Sequence, residues 1–286
     1  MILLSFGHGY SAQALERLLL PLGCEIIGTT RSPEKAQAME ARGITARLFP
    51  GTDLSADLAR ATHILISAGP NEAGDPVLTE ASDAISKVAG SKTWLGYLST
   101  TGVYGDHAGG WVDETTPLTP STERGRARVK AEAAWQDLAQ ATGAPFHIFR
   151  LAGIYGPERG PFAKVRNGTA RRIIKQGQVF SRIHVEDIAQ VLLASMQAPK
   201  AGAIYNLCDD NAAPPEDVIA YAAELLGLPI PPAIKFEEAD LSPMSRSFYA
   251  ESKRVRNTRI KEELGVILRY PDYQTGLRAL LAQEVT

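Results

Sequence analysis

The chain has 286 residues, a formal net charge of −2, 44 % hydrophobic residues and a mean hydropathy of −0.11. These values fit one large or two modest globular units, and they exclude an overall field that draws nucleic acid or anionic lipid. Cys24 and Cys208 are too few and too far apart for a disulfide framework or a metal site, which favours a reducing compartment.

Residues 1–7 carry no basic leader, and their apolar run is too short for a signal core, so they read as a first strand and the expected location is the cytoplasm. No stretch approaches the roughly 18 apolar residues of a membrane span. Along the first 155 residues, short apolar runs alternate with amphipathic stretches. The predicted strands are Ile2–Phe6, Glu25–Thr29, Ala46–Phe49, His63–Ser67, Trp94–Leu98 and Phe146–Leu151. Ala12, Leu15, Leu18 and Leu19 share one helical face, as do Ala131, Ala134, Trp135 and Leu138. Gly23, Gly43, Gly90 and Gly143 follow helical patterns where a left-handed glycine ends a helix. Such alternation demands a parallel sheet covered on both faces, an α/β doubly wound architecture.

After Pro157 the alternation loosens. Residues 158–180 are basic and polar, and Ile183–Val185 leads into a helix with Ile188, Val191, Leu192 and Met196 on one face. A strand at Ala203–Leu207 follows, then a helix opened by Pro214 and Pro215, and a last helix carrying Tyr273, Leu277, Leu280 and Leu281. The expected division is residues 1–160 with 181–207 as a nucleotide-binding unit, and 161–180 with 208–286 as a smaller substrate part interleaved with it.

Gly7-His8-Gly9-Tyr10-Ser11-Ala12 directly follows the first strand and opens the first helix. The first glycine makes the tight turn, the second lets backbone approach a diphosphate, and small Ala12 packs helix on strand. The helix N-terminus supplies free N–H groups and positive potential, so a Rossmann dinucleotide site is predicted. The second strand ends in Thr29-Thr30-Arg31-Ser32, where NAD binders place a carboxylate for the ribose 2′-hydroxyl. An arginine fork beside hydroxyls suits a 2′-phosphate, so NADP is favoured over NAD, although Arg31 also reads as a solvated charge opening the next helix.

Three further segments are more specific. They are Leu98-Ser99-Thr100-Thr101-Gly102-Val103-Tyr104-Gly105, the loop with Trp111, Glu114, Pro117 and Pro120, and Arg150-Leu151-Ala152-Gly153-Ile154-Tyr155-Gly156-Pro157. With Arg182-Ile183-His184-Val185-Glu186-Asp187 and Ile204–Leu207, they resemble the extended short-chain dehydrogenase/reductase family, the sugar-nucleotide epimerase and dehydratase group. The resemblance implies a Rossmann domain with a smaller, discontinuous C-terminal substrate domain. It also implies hydride transfer at a nicotinamide, with a Tyr-x-x-x-Lys pair for proton transfer and a Ser or Thr orienting the reacting oxygen. On that pattern Thr100 takes the Ser/Thr position, while Asp53, Leu54, Ala68, Gly69 and Pro70 match stretches lining adenine and the inner ribose.

The sequence departs from the family at its chemistry. Arg124 through Glu132 matches Tyr-Gly-x-x-Lys-x-x-x-Glu, so Arg124 stands at the Tyr position and Arg128 at the Lys position; shifting the match to Lys130 leaves Arg126 at the Tyr position. A guanidinium stays protonated and cannot shuttle a proton, but it can stabilise an oxyanion or grip an acidic group. Where Gly-x-x-Gly-x-x-Gly is usual, the chain has Phe6, Gly9 and Ala12. Both departures resemble the family's atypical members.

Tyr104, and Tyr155 at a strand end, are the candidate substitute acids, with core packing as the plainer explanation of each. His184, at a helix start beside an apolar strand, reads as a hydrogen-bonded core imidazole. Tyr249-Ala250-Glu251-Ser252-Lys253 is a literal Tyr-x-x-x-Lys out of place in the fold order and is read as a chance match. Arg166, Arg171, Arg172 and Arg254 lie in regions that approach substrate phosphates in the family, so an anionic small molecule is expected. The 19 residues between Tyr104 and Arg124, with three glycines and two prolines, suggest a site-lining loop. The readings are an NADP(H)-dependent epimerase or reductase with altered acid–base groups, a non-catalytic NADP(H) sensor, or a remnant. No metal, nucleic-acid or membrane partner is expected, and a homodimer is left open.

Overall fold

The computed structural model describes residues 1–200 and 202–285. The chain begins β1 (Ile2–Phe6), α1 (Tyr10–Leu19), β2 (Glu25–Thr30), α2 (Pro33–Glu40), β3 (Thr45–Leu48), α3 (Ser55–Arg60) and β4 (His63–Ile66). It continues α4 (Pro76–Val88), β5 (Trp94–Thr100), β6 (Trp111–Val112), α5 (Glu123–Thr142), β7 (Phe146–Leu151), β8 (Gly153–Tyr155), α6 (Phe162–Arg166) and β9 (Arg172–Ile174). Next come β10 (Arg182–His184), α7 (Val185–Gln197), β11 (Ala203–Leu207), α8 (Pro215–Leu225) and β12 (Ala233–Lys235). The last elements are α9 (Pro243–Phe248), β13 (Arg254–Val255), α10 (Thr258–Glu262) and α11 (Tyr273–Val285).

Seven strands form one parallel sheet in the order β11-β7-β5-β4-β1-β2-β3. Strand order therefore reverses between β1 and β4, which opens a crevice at their carboxyl ends. The central strands are buried on both faces, because helices cover each side. Helices α1 and α7 pack together over one face, on a cluster that includes Leu3, Leu15, Leu65 and Phe149. On the other face Leu58, Ile85 and Trp135 lie over Leu4, Ile64 and Tyr97. This is the doubly wound Rossmann sheet expected from the alternation.

A smaller apolar cluster joins Tyr155, Phe162, Val165, Ala222, Tyr273 and Leu277, drawn from β8, α6, α8 and α11. Three two-strand parallel pairs, β8 with β10, β9 with β12 and β6 with β13, connect this part to the crevice. No helix among the described residues is long and apolar enough to cross a membrane.

Two local expectations need correction. Gly23, Gly43 and Gly143 have the left-handed φ expected after a helix, but Gly90 does not, because Ala89 leaves α4 directly in an extended conformation. In α5 the inward face is Ala131, Glu132, Trp135 and Ala139, whereas Ala134 is exposed. A buried carboxylate paired across the interface takes the place that the apolar pattern assigned to alanine.

Candidate functional site

A cleft of about 880 Å³ occupies the crevice and runs from the β1–α1 turn to the segment before β13. Gly7 has φ +74, and a Cβ there would stand 2.8 Å from the Ala68 nitrogen, so only glycine makes this turn against β4. The Gly7 and His8 N–H groups donate to the Oγ1 and carbonyl oxygen of Thr29, each at 2.9 Å, fastening the turn to β2. Gly9 caps α1 with no side-chain acceptor, and the first helical turn holds no acid. The N–H groups of Tyr10, Ser11 and Ala12 are therefore unspent at the positive end of the helix, a cradle that fits a diphosphate. Gly9, Tyr10 and Ser11 line the cleft, while Ala12 is wholly buried and packs α1 on the sheet. The Tyr10 hydroxyl donates to the Pro157 carbonyl at 2.8 Å.

Sequence reasoning missed the support beneath this turn. His8 is buried, with Nε2 2.8 Å from Glu16 Oε2, and Arg42 donates to the same carboxylate at 2.6 Å. Burial lowers the His8 pKa despite the neighbouring Glu16, so its ring stays neutral around pH 7 and braces the turn from inside. The spacing of Glu16, one helical turn past Ala12, was a signal only in retrospect.

Gly69, Pro70, Thr100, Arg124 and Arg128 line the middle of the same cleft. Thr100 Oγ1 accepts from the Gly102 N–H at 3.2 Å, which leaves the hydroxyl proton to donate. Arg128 Nη1 donates to the Tyr97 hydroxyl at 3.1 Å and to the Leu98 carbonyl, holding the guanidinium across the floor. A Cβ on Gly69 would come within 2.6 Å of Arg128 Nη2, so the glycine makes room for it. Arg124 lies one turn earlier, exposed, 6.0 Å over the Phe248 ring and without an ion pair among the described residues. The two arginines thus face one space, together with Thr100.

Other expected site residues lie elsewhere. Tyr104 does not line the cleft: it is fully buried in the turn after β5, donating to Asn206 Oδ1 at 2.7 Å and accepting from Arg150 Nη1 at 3.0 Å. Arg150 also pairs with buried Glu132 at 2.8 Å, and Glu132 accepts the Ser99 hydroxyl at 2.5 Å. This network locks α5 to β5 and β7, which is why Tyr104 is structural here. Leu54 is buried under the sheet, and the Asp53 carboxylate accepts from the Ser55 N–H and hydroxyl, so neither is part of the cleft wall. Thr30, Arg31 and Ser32 also lie outside that wall. Thr30 Oγ1 accepts from the Ser32 N–H, Ser32 caps α2, and Arg31 is exposed with no partner among the described residues. Ala68 sits at the back of the glycine turn.

None of the four arginines assigned to substrate lines the cleft. Arg166 pairs with Glu284, Arg171 is exposed, and Arg172 Nε reaches the Glu216 carbonyl at 3.4 Å. Arg254 points away to the Gly109 carbonyl, because alternation along β13 turns Lys253 and Val255 inward instead. The cations that do line this end are Arg159, Arg182 and Lys253. Sequence reading passed over them because their segments meet only in three dimensions.

Residues 105–123 brace the site more than they line it, since only Thr122 from this stretch faces the cleft. His107 and Gly109 donate to the Ser252 carbonyl, and β6 pairs with β13. Tyr249 is absent from the lining and packs against Phe180 and Phe236. His184 is fully buried, caps α7 through Nδ1, and has its pKa pushed down to about 4 by burial. Tyr155 does line the cleft, and burial raises its phenol further, with nearby carboxylates adding to the effect.

Across the cleft, Arg124, Arg128, Arg159, Arg182 and Lys253 face a single carboxylate, Glu251, among the described residues. A strongly positive crevice at a Rossmann switch point, with a glycine turn at one end, defines a nucleotide-binding α/β protein. Residues 2–208 match the model of the NAD dependent epimerase/dehydratase family, and the chain belongs to that family. It is 31 % identical to Protein YeeZ of Escherichia coli strain K12 over 279 residues, covering 93 % of this chain and 95 % of YeeZ. It is 61 % identical to a conserved protein from Silicibacter pomeroyi DSS described as functionally unknown, whose structure superposes with a TM-score of 0.94 over 99 % of this chain and 98 % of that one. The human epimerase family protein SDR39U1, solved with NADPH, shares the fold at TM-score 0.74 and 18 % identity, covering 99 % of each chain.

Proposed function

We propose that this protein binds NADP(H) in the cleft and acts with it on a small anionic carbonyl or hydroxyl compound, phosphorylated or nucleotide-sugar-like. The observation that carries the reading is that the open helix N-terminus and both arginines at the family's Tyr and Lys positions face one cleft. The bound cofactor would supply hydride transfer at its nicotinamide. Backbone from Gly7 to Ala12 would hold the diphosphate, and Arg128 the nicotinamide ribose. Thr100 would donate to the reacting oxygen, and Arg124 would stabilise negative charge developing on it without exchanging a proton. The NADPH in the human relative and the partnerless Arg31 support NADP over NAD.

A non-catalytic NADP(H) sensor is the second reading, favoured by the burial of Tyr104 and by permanently charged groups where the family exchanges protons. Calorimetry with NADPH and NADH tests the cofactor reading common to both. NADPH should bind more tightly, and Arg31→Ala should remove about 1–3 kcal/mol of that preference. Equal dissociation constants for the two cofactors would end it.

A further inference from the structure

Two buried cations at the far end of the cleft have no role in holding a dinucleotide. Arg182 opens β10, lines the cleft, and spends Nη1 on the carbonyl oxygens of Phe180 and Ala213, at 2.8 and 3.0 Å. The acid acting most strongly on it is Asp209, which is 3 % exposed and whose Oδ2 has no partner. Burial pushes the Asp209 carboxyl up to about 8, so at neutral pH it is largely protonated and leaves the guanidinium without a counter-ion.

Lys253 is 8 % exposed, and its ammonium donates to the Gly105 carbonyl and to Glu251, both at 2.6 Å. A third hydrogen is unspent. Glu251 divides its charge, because its other oxygen accepts the Ser121 hydroxyl at 2.5 Å. These contacts gather distant segments. The Val255 N–H donates to Ser181 Oγ at 3.1 Å, setting the Lys253 strand beside Arg182. Ser121 lies three residues before Arg124, and Gly105 closes the turn that Thr100 opens.

We propose that this end of the cleft is a carboxylate- or phosphate-binding subsite, in which Arg182, Lys253 and Arg124 hold an acidic group of the substrate. A buried cation without an ionised partner is costly, and an anion bound there would relieve that cost through charge-assisted hydrogen bonds. With the acid held here and the cofactor diphosphate at the glycine turn, the substrate's reacting carbon would fall between them, near Thr100. The identification of the ligand as substrate rests on the proposed function; the subsite itself stands without it.

The test is calorimetric titration of malonate and of inorganic phosphate into the protein, with and without saturating NADPH. Saturable binding of at least one anion in the presence of NADPH is expected, and the preferred anion names the group. Arg182→Gln and Lys253→Met should each weaken it by ~10-fold or more, and exposed Arg124→Gln by ~3-fold or more, with NADPH affinity unchanged within about threefold. Lys253→Arg keeps the charge and should keep most of the affinity, which separates binding from the tie to Gly105. No saturable binding to wild type, or the same affinity in all variants, would overturn the subsite. Failure of NADPH to bind while variant-sensitive anion binding persists would instead sink the cofactor reading alone.

Discussion

The two ends of the cleft meet negative charge by different means. At the β1 end the donors are backbone N–H groups of Tyr10, Ser11 and Ala12, aimed by a turn that needs only Gly7 and Gly9 in place. At the other end the charge sits on the side chains of Arg159, Arg182 and Lys253, delivered by segments almost 100 residues apart. A backbone site is local and survives replacement of its side chains. A side-chain site depends on strand alternation, on partners and on burial, and so it can be rebuilt while the fold stays the same. The middle of this cleft, with Arg124 and Arg128 at the Tyr and Lys positions, is such a rebuilt region.

The largest test of this contrast removes a support shared by both ends. Glu132→Ala would leave the Arg150 guanidinium, 3 % exposed, without its carboxylate, and should cost about 3–5 kcal/mol in urea denaturation. A loss under about 1 kcal/mol would mean that the network between α5, β5 and β7 does not hold the site together.

Next is the pH response of the substrate end. Burial raises Asp209 to about 8, so its contribution is complete below the unfolded carboxyl range near 4 and is lost as pH rises through about 8. Folding therefore takes up a proton in that window, a slope on the order of 2–4 kcal/mol in total. Asp209→Asn should flatten it, raising the denaturation midpoint more at pH 8 than at pH 5. Equal shifts at the two pH values would show that Asp209 is ionised in the native protein.

A smaller effect sharpens the middle of the cleft. Fixed positive charge beside a nicotinamide should make wild type prefer NADPH to NADP⁺, and Arg124→Tyr with Arg128→Lys should narrow that gap by roughly 1 kcal/mol. Equal affinity for the two redox forms in both proteins would place Arg124 away from the ring. The smallest expected effect is at Tyr249, whose ring packs on Phe180 and Phe236 outside the cleft. Tyr249→Phe should leave NADPH binding and any turnover within a few-fold, whereas a true proton donor would lose ~10²–10⁴-fold.

The sequence by itself determined the sheet and the phosphate turn. Period and glycine placement located Ile2–Phe6, Phe146–Leu151 and Ala203–Leu207 to the residue, and the open start of α1, because those features depend on neighbours in the chain. It also located Thr100, Arg124 and Arg128 by their spacing, since all sit on the core elements β5 and α5. What only the tertiary structure decided is which charges face the cleft. Arg254 was as basic in sequence as Lys253, but strand alternation sends one out and the other in. Tyr104 looked as exposed as Thr100 until Arg150 and Asn206 claimed its hydroxyl. Direction and partnership of a side chain are set by contacts between segments far apart in the chain, and no local pattern records them.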